Sequence, residues 1–526
     1  MLLPEQYLAP TDLDQRVFAA TVPDNHYLRR VLQAVDFSRC RDLIATVYCS
    51  EHGRPAVEPL LLLKLEFLQY HYNLSDRQVV EDARCNMAYR WFLGLSLDSP
   101  LPHHTLLTYF RQRLGWEKHQ EIFDALVAQA RAQGLIKDRL RLKDATHIIA
   151  NIAIPSTIGL VSQTRQRLLQ ALRPWAPERV ADEEQRALQV RTATADLSND
   201  ERLLQRVAHL RAVVAWADEL QESPPVTQAT AQKQQPLRDA LRAAHQLLAD
   251  DANPKGKQPL RSAVDPDARR LKHGGWHTGY FLDVAMDADS EIITALNVLP
   301  GGSNEGADVT TLLSHEERVH GNDVQAVSQD GAGFKGPVLR ALTEPTGFHV
   351  EVFVPPRQPP AWQGFAPEQF TLDAAKTTLT CPGGATTQKR RRSWGNHGWD
   401  YRFARATCAA CPLLAHCMPS LPQKTGRTVI KNDYEAEYQA ARAKAQTPEY
   451  AEVRRRHRSI IERKLGEMVR WHRCRRARYW GRGRVLLQSL LTGLVVNIKR
   501  IAALLRTLVP DTGGGGAVRA GWVGGG

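Results

Sequence analysis

The sequence predicts a mixed α/β protein with an all-α N-terminal portion, and three observations carry the prediction. Residues 1–136 read as helical: a Leu-rich run spans Val57 to Tyr72, Ser75-Asp76-Arg77-Gln78 offers a capping-box start to a helix running toward Met87, and a further helix begins after Pro102. Leu140 to Ile154 then changes texture. Leu140, Leu142, Ile148, Ile149, Ile152 and Ile154 surround Asp144-Ala145-Thr146, and that β-branched content predicts a strand carrying a carboxylate. From His277 onward Tyr280, Leu282, Val284 and Met286 alternate with Phe281, Asp283 and Ala285, the period of a strand. Asp287 to Ser290 marks a turn, and Glu291 to Leu299 reads as the returning arm of a hairpin.

The remaining elements follow in order. Between the two sheet signals, residues 157–263 turn to Gln, Ala, Arg and Leu. Leu203, Val207, Leu210 and Val214 keep helical spacing, Leu241 to Leu248 mark another helix, and Pro224-Pro225 separates them, so a helical insertion is expected. It serves as scaffold, dimer contact or DNA clamp. After the hairpin come a helix near Ala307 to Val319, a short strand from Val324 to Ser328 ending at Asp330-Gly331-Ala332-Gly333-Phe334, another helix, and a strand from His349 to Val354. A proline-rich bridge leads into a cysteine-bearing loop, and long helices resume at Tyr434. The expected domains are thus 1–136; a core from 137–156 and 264–358; the insertion 157–263; a Cys-rich insertion 359–430; closing helices 431–510; and a Gly-rich, disordered tail 511–526.

Charge narrows the function. The chain has 526 residues and a formal net charge of +13. Thirteen of the residues from Arg454 to Arg484 are Arg or Lys, against the acids Glu462 and Glu467 alone. Such density points to phosphate backbones, because each contact releases condensed counterions. A lone glutamate there repels DNA unless a cation stands between, so Glu462 reads as part of a divalent-metal site. Arg455 and Arg458 share its helical face, while Ile461, Leu465, Met468 and Val469 form the opposing apolar stripe. Arg111 and Arg113, on the helix after Pro102, fit either a helix-turn-helix reader or a plain bundle with solvated arginines. No charged leader precedes Leu2-Leu3-Pro4. The apolar stretch Val485 to Val509 is broken by Gln488, Asn497, Lys499, Arg500 and Arg506, so a packed helix and a cytoplasmic, nucleoid-associated protein without membrane contact are expected. No Walker-type phosphate loop and no Gly-x-Ser-x-Gly elbow occurs, which leaves ATP dependence and acyl transfer without support.

Asp144, Asp330 and Glu462 stand where chemistry would want them, each also readable as a turn residue, strand-end cap or solvated pair. Asp330 is followed by Gly331 and Gly333, which let backbone or ligand approach. Asp283 and Asp308 read as structural. Cys408-Ala409-Ala410-Cys411 with Cys381 and Cys417 suits a closed, structural Zn²⁺ knuckle, with His416 as an alternative ligand and unliganded thiols as the competing reading. Arg390 and Arg391, in the run Lys389 to Arg392 beside Trp394, form a second phosphate contact or a solvated charge run. His273 and His277 read as surface histidines, since Gly274-Gly275 argues against a helix between them.

The chain resembles the insertion-sequence transposases of the DDE class over nearly its whole length. The resemblance rests on Lys143-Asp144-Ala145-Thr146-His147-Ile148-Ile149-Ala150, Gly279-Tyr280-Phe281-Leu282-Asp283, Gln329-Asp330-Gly331-Ala332-Gly333-Phe334, and Arg458 to Gly466 with the Arg-rich run that follows. It implies a ribonuclease-H-like mixed sheet flanked by helices. It also implies a catalytic triad of Asp144, Asp330 and Glu462 binding two Mg²⁺ or Mn²⁺ ions, and double-stranded DNA (element terminal inverted repeats and target) as partner. The implied enzyme cuts element ends and joins the 3′-hydroxyl to target DNA, as a homodimer or higher oligomer. Many relatives carry a Tyr seven residues before the glutamate, where this chain has Arg455; the Arg four residues before it is kept as Arg458. A nuclease without strand transfer and a non-catalytic zinc-containing DNA-binding regulator are the alternatives.

Overall fold

A computed structural model describes residues 10–49, 55–253, 256, 258–303, 306, 308–357, 364–419 and 425–508. The expected Gly-rich tail, 511–526, lies outside the described residues. By its contacts the chain divides into two compact units, Met1–Lys137, Ala145–Ser303 and Glu462–Gly526 in one, Asp138–Asp144 and Asn304–Ile461 in the other.

In the first unit the predicted helices form. Pro59–His71 is apolar on nearly every side and is buried accordingly, with Leu61, Leu63, Leu65, Phe67, Leu68 and Tyr70 in the core. The Ser75 hydroxyl and the Gln78 side chain cap the Asp76–Cys85 helix reciprocally, as the sequence predicts. The helix Thr105–Ala132 breaks at Gly115, whose φ of 65° is the left-handed conformation that glycine takes without a Cβ penalty. The helix Arg482–Leu508 is long and apolar enough to cross a bilayer, yet 89% of its most apolar window is buried against protein. It packs on Thr105–Ala132, Tyr27–Ala34 and Pro59–His71. Five further helices, from Thr157–Leu172 to Ala231–Ala252, follow the strand Arg141–Ile149, and they close over a core of their own that includes Leu168, Leu172, Leu210, Val213, Leu237 and Leu241.

The strands of this unit are the later part of β1 (Arg141–Ile149), β2 (Arg269–His273), β3 (Gly275–Asp287) and β4 (Ile293–Pro300). β3 pairs antiparallel with both β2 and β4, and β1 lies beside β3. β2 has no counterpart in the sequence reading: Arg-Arg-Leu-Lys-His shows no apolar alternation because it is an edge strand with only Leu271 buried. Asn497 ties the last helix to β4, its side chain accepting from the Ile293 N–H and donating to the Ile293 carbonyl, both at 2.8 Å.

In the second unit the start of β1 pairs in parallel with β5 (Ala326–Gln329), which pairs in parallel with β6 (Glu351–Phe353). The helices Val309–His320 and Gly336–Thr343 cover these strands with Val309, Leu313, Val338 and Leu339. The result is the expected mixed α/β architecture. The Cys-rich segment, expected as a loop, folds instead into two small three-stranded antiparallel sheets. One joins β7 (Thr371–Leu372), β8 (Leu379–Thr380) and β9 (Thr386–Thr387); the other joins β10 (Arg390–Ser393), β11 (Gly398–Arg402) and β12 (Thr428–Asn432). Their strands are too short and polar to carry a readable alternation, and their core is only Phe370, Leu379, Tyr401, Phe403 and Val429. The helices Glu435–Lys444 and Pro448–Trp471 follow.

Candidate active site and cysteine cavity

Register brings two of the three predicted acids together. In the parallel pair β1·β5, Lys143 lies opposite Gln329. Asp144 and Asp330 are the next residues along these neighbouring strands, which in a sheet run about 4.8 Å apart. Both carboxyl-bearing residues are half-buried. Asp330 still has extended backbone, and its carboxylate accepts from the Ala332 N–H at 3.0 Å, capping the short turn Gly331–Gly333. Of the two glycines after it, Gly333 is the crowded one: a Cβ there would lie 2.2 Å from the Gln329 side chain, whereas at Gly331 the nearest atom is 3.9 Å away. The predicted close approach therefore belongs to Gly333, and it serves packing inside the protein.

Arg454, which the sequence reading passed over in favour of Arg455 and Arg458, is a cation within electrostatic reach of these aspartates. Arg454 donates to the Gln329 carbonyl at 2.7 Å and the Ser328 hydroxyl at 3.2 Å, at the end of β5. Burial pulls its guanidinium pKa down, while Tyr450, Asp330 and Asp144 pull it up. Arg455 is exposed and paired with Glu452, and Arg458 is exposed. The helix signal alone could not rank these arginines, because three adjacent ones differ only in the direction each takes from the axis. On the next turn His457 is buried, and desolvation holds its pKa down to about 3, so it stays neutral.

Glu462 lies further along Pro448–Trp471, in the other unit, where it is exposed and borders a cleft of about 560 Å³ with Arg463, Glu467, Arg470 and Lys499. Among the described residues no group of three or more His, Cys, Asp and Glu stands close enough to hold a metal ion. Asp283 is fully buried and Asp308 nearly so, which fits their reading as structural acids.

Arg111 does not face solvent. It is buried and paired with the fully buried Glu66 at 3.5 Å and with Asp76, so it holds helices together and is not presented to a phosphate. A strong apolar context on that helix was the available warning, since an arginine among Leu107, Phe110 and Leu114 points into the core. Arg113 is exposed and lies over the Tyr48 ring at 4.6 Å. Arg390 and Arg391 are exposed on β10, with Arg390 stacked on Trp399 at 4.3 Å, and Trp394 beside them is 78% exposed.

Cys381, just after β8, and Cys408, Cys411 and Cys417, on and between the short helices Arg405–Ala409 and Leu414–Cys417, line one cavity of about 30 Å³. All four are free thiols, so no disulfide competes for them. The Arg427 N–H donates to the Cys408 sulfur at 3.4 Å, and burial, against the pull of Arg427, pushes the Cys417 thiol up, with the other three thiols adding to the rise. A Cβ on Gly383 would come within 3.1 Å of the Cys411 sulfur, so the backbone there packs closely on that thiol. His416 packs edge-on to Phe365.

Two families match the chain. That described as Transposase domain (DUF772) matches residues 16–113, the helical N-terminal region. That described as Transposase DDE domain matches residues 380–502, which hold the four cysteines, the Arg-rich run and Glu462. The chain carries the domains of an insertion-sequence transposase of the DDE class. Asp144 and Asp330 fall outside both matched segments, so their pairing rests on the β1·β5 register. No solved structure matches the chain.

Proposed function

We propose that this transposase cuts DNA at the ends of its element and joins the freed 3′-hydroxyl to target DNA, with Asp144, Asp330 and Glu462 as the catalytic acids. The carrying observation is the adjacent placement of Asp144 and Asp330 on neighbouring strands with Arg454 as counter-charge. Two such carboxylates supply the hard oxygen donors that Mg²⁺ or Mn²⁺ prefers, and Glu462 would complete the set. When bound, two such ions supply an activated water and a stabilised leaving oxygen for phosphodiester cleavage. The side chains of this protein hold the reacting strand. Arg454 anchors the end of β5 so that Asp330 keeps its direction. Exposed Arg455 and Arg458 reach backbone phosphates on the same helix, and Arg113, Arg390 and Arg391 offer further contacts. In cutting, water attacks the phosphorus and the 3′-oxygen departs with a proton. In joining, that 3′-oxygen attacks a target phosphate and displaces a target 3′-oxygen. Pairing two element ends calls for a dimer or larger assembly on double-stranded DNA. The four cysteines would be the ligands of a structural Zn²⁺; they line one cavity and one sulfur accepts an N–H, but as placed they do not stand close enough to hold the ion and would have to draw together on binding it.

The test uses linear duplexes carrying the genomic sequence that flanks the coding region. Wild type should nick and join them with Mg²⁺ or Mn²⁺. Asp144→Asn, Asp330→Asn and Glu462→Gln should each lose cutting and joining while still binding DNA. Joining of pre-cleaved ends separates the alternatives, because a plain nuclease yields no joined product, and wild type that binds the duplexes yet neither nicks nor joins them would leave a non-catalytic regulator.

A further inference from the structure

The histidines that the sequence leaves as surface residues are part of a larger cluster. His147 on β1 packs in a tilted arrangement against His273 of β2, their ring centroids 4.7 Å apart, and against Phe281 of β3 at the same distance. His277 of β3 faces the same side, its Nε2 3.1 Å from the His273 carbonyl. Arg475 closes the group from a fourth segment, donating to the His147 carbonyl at 2.8 Å. That segment is fastened beside β1: the Ile149 N–H donates to the Arg475 carbonyl at 2.8 Å, and the Ala477 N–H to the Ile149 carbonyl at 2.9 Å. The groups acting electrostatically on His147 are His273, Arg475 and His277, and those on His273 are Arg475 and His277; among the described residues no acid acts on either.

We propose that His147, His273, His277 and Arg475 form an anion site that takes a backbone phosphate of DNA, an inference that rests on the transposase reading above. Four potential cations from four chain segments converge without a carboxylate, and the rings are held in place by Phe281 and by backbone. A metal ion suits the group less well, because the His277 Nε2 is engaged with a carbonyl and the guanidinium repels cations. A polymer suits it better than a small anion, because exposed arginines continue the charge along the segment that carries Arg475. Arg473 and Arg476 flank Arg475 and are exposed, while Arg270, Lys272 and the exposed Trp276 share the opposite face of the β2·β3 hairpin. Burial first, then the neighbouring cations, depresses His147 to about 4 and lowers His273, so both are neutral in the free protein at pH 7. A phosphate reverses the sign of the local field and raises both. Binding then takes up protons, and affinity grows as pH falls through the bound-state pKa and levels off below the free value.

The experiment is fluorescence anisotropy of a labelled mixed-sequence duplex with the full chain at constant ionic strength, at pH 8, 7 and 6. Uptake of one proton strengthens binding by up to about tenfold per pH unit. Wild type should gain about threefold to tenfold between pH 8 and pH 6, and the double variant His147→Gln/His273→Gln should stay within about twofold. Calorimetry of wild type in two buffers of different ionisation enthalpy should register proton uptake on binding, which needs no variant. A slope unchanged in the double variant, or no proton uptake, overturns the site while leaving the transposase reading intact. Asp144→Asn tests the converse, losing cutting while keeping the slope. Wild type that binds no duplex at any pH overturns both readings. Tight Zn²⁺ binding abolished by the double variant, with no pH slope, would make the cluster a metal site and overturn the proposal.

Discussion

Arg454→Met isolates what the guanidinium at the two aspartates contributes. Methionine keeps the aliphatic stem and removes the charge and both donated bonds. The partners left behind are the Gln329 carbonyl and the Ser328 hydroxyl, and both residues are fully buried. A buried polar group stripped of its partner costs about 1–3 kcal/mol, and a charge-assisted bond lies toward the upper part of that range. Against this stands the desolvation of a half-buried guanidinium, which burial already pushes toward lower pKa and which the variant no longer incurs. The balance is a loss of about 2 kcal/mol, or about 4–8 °C in the melting of a unit of this size. The assay is thermal unfolding with and without Mn²⁺. The variant should melt lower in the absence of metal and recover part of the loss with Mn²⁺, since a bound divalent ion replaces the missing counter-charge between Asp144 and Asp330. Arg454→Lys should fall between the two, because an ammonium keeps the charge without the planar fork. A melting temperature within about 1 °C of wild type, with the same Mn²⁺ response, would refute the anchoring of the β5 end by Arg454 and its electrostatic influence on these acids.

Three further outcomes follow from the structure. Glu316 and Arg141 form a fully buried ion pair at 2.9 Å, supported by Asn322 and Asp138, so Glu316→Ala should cost about 1.5–3 kcal/mol in urea unfolding, since it removes a charge-assisted bond while Asp138 stays on the guanidinium, and a loss below about 1 kcal/mol would contradict the pairing. His71, stacked between Tyr27 and Phe67, is held by burial at about 3, below its unfolded value. Its folded form therefore loses stability as pH drops below about 6.5, by about 2 kcal/mol at pH 5, and His71→Phe should flatten that acid slope in pH-dependent unfolding. Protein purified without chelator should carry about one zinc per chain by elemental analysis, lost in Cys411→Ser; a wild-type content near zero would return the four cysteines to plain thiols.

Local chemistry made much of this protein legible in its sequence. The capping box at Ser75 and the alternation through Tyr280 to Met286 fix their elements because nearest neighbours along the chain set backbone preference. The Leu-rich run and the long C-terminal helix were readable from composition, and both are core. Charge density in the Arg454 to Arg484 run pointed to nucleic acid with no structure at all. Where the sequence reading slipped, the deciding contact was distant in the chain. Arg111 reads as a phosphate contact until Glu66 and Asp76 close on it, and β2 is a strand only because β3 supplies its partner. The small sheets around the cysteines are too short to leave a periodic trace.

The sequence by itself determined most of the helices, the strands β1 and β3 to β6, the basic character of the C-terminal region and the identity of the candidate acids and thiols. These depend on residue type and on spacing along the chain. The tertiary structure alone decided which groups share a space: Asp144 beside Asp330 through the register of β1 and β5, Arg454 in preference to its neighbours, and His147 with His273 and His277. Strand register and helix rotation are set by the burial of apolar faces over the whole fold, and no local window of sequence carries that sum.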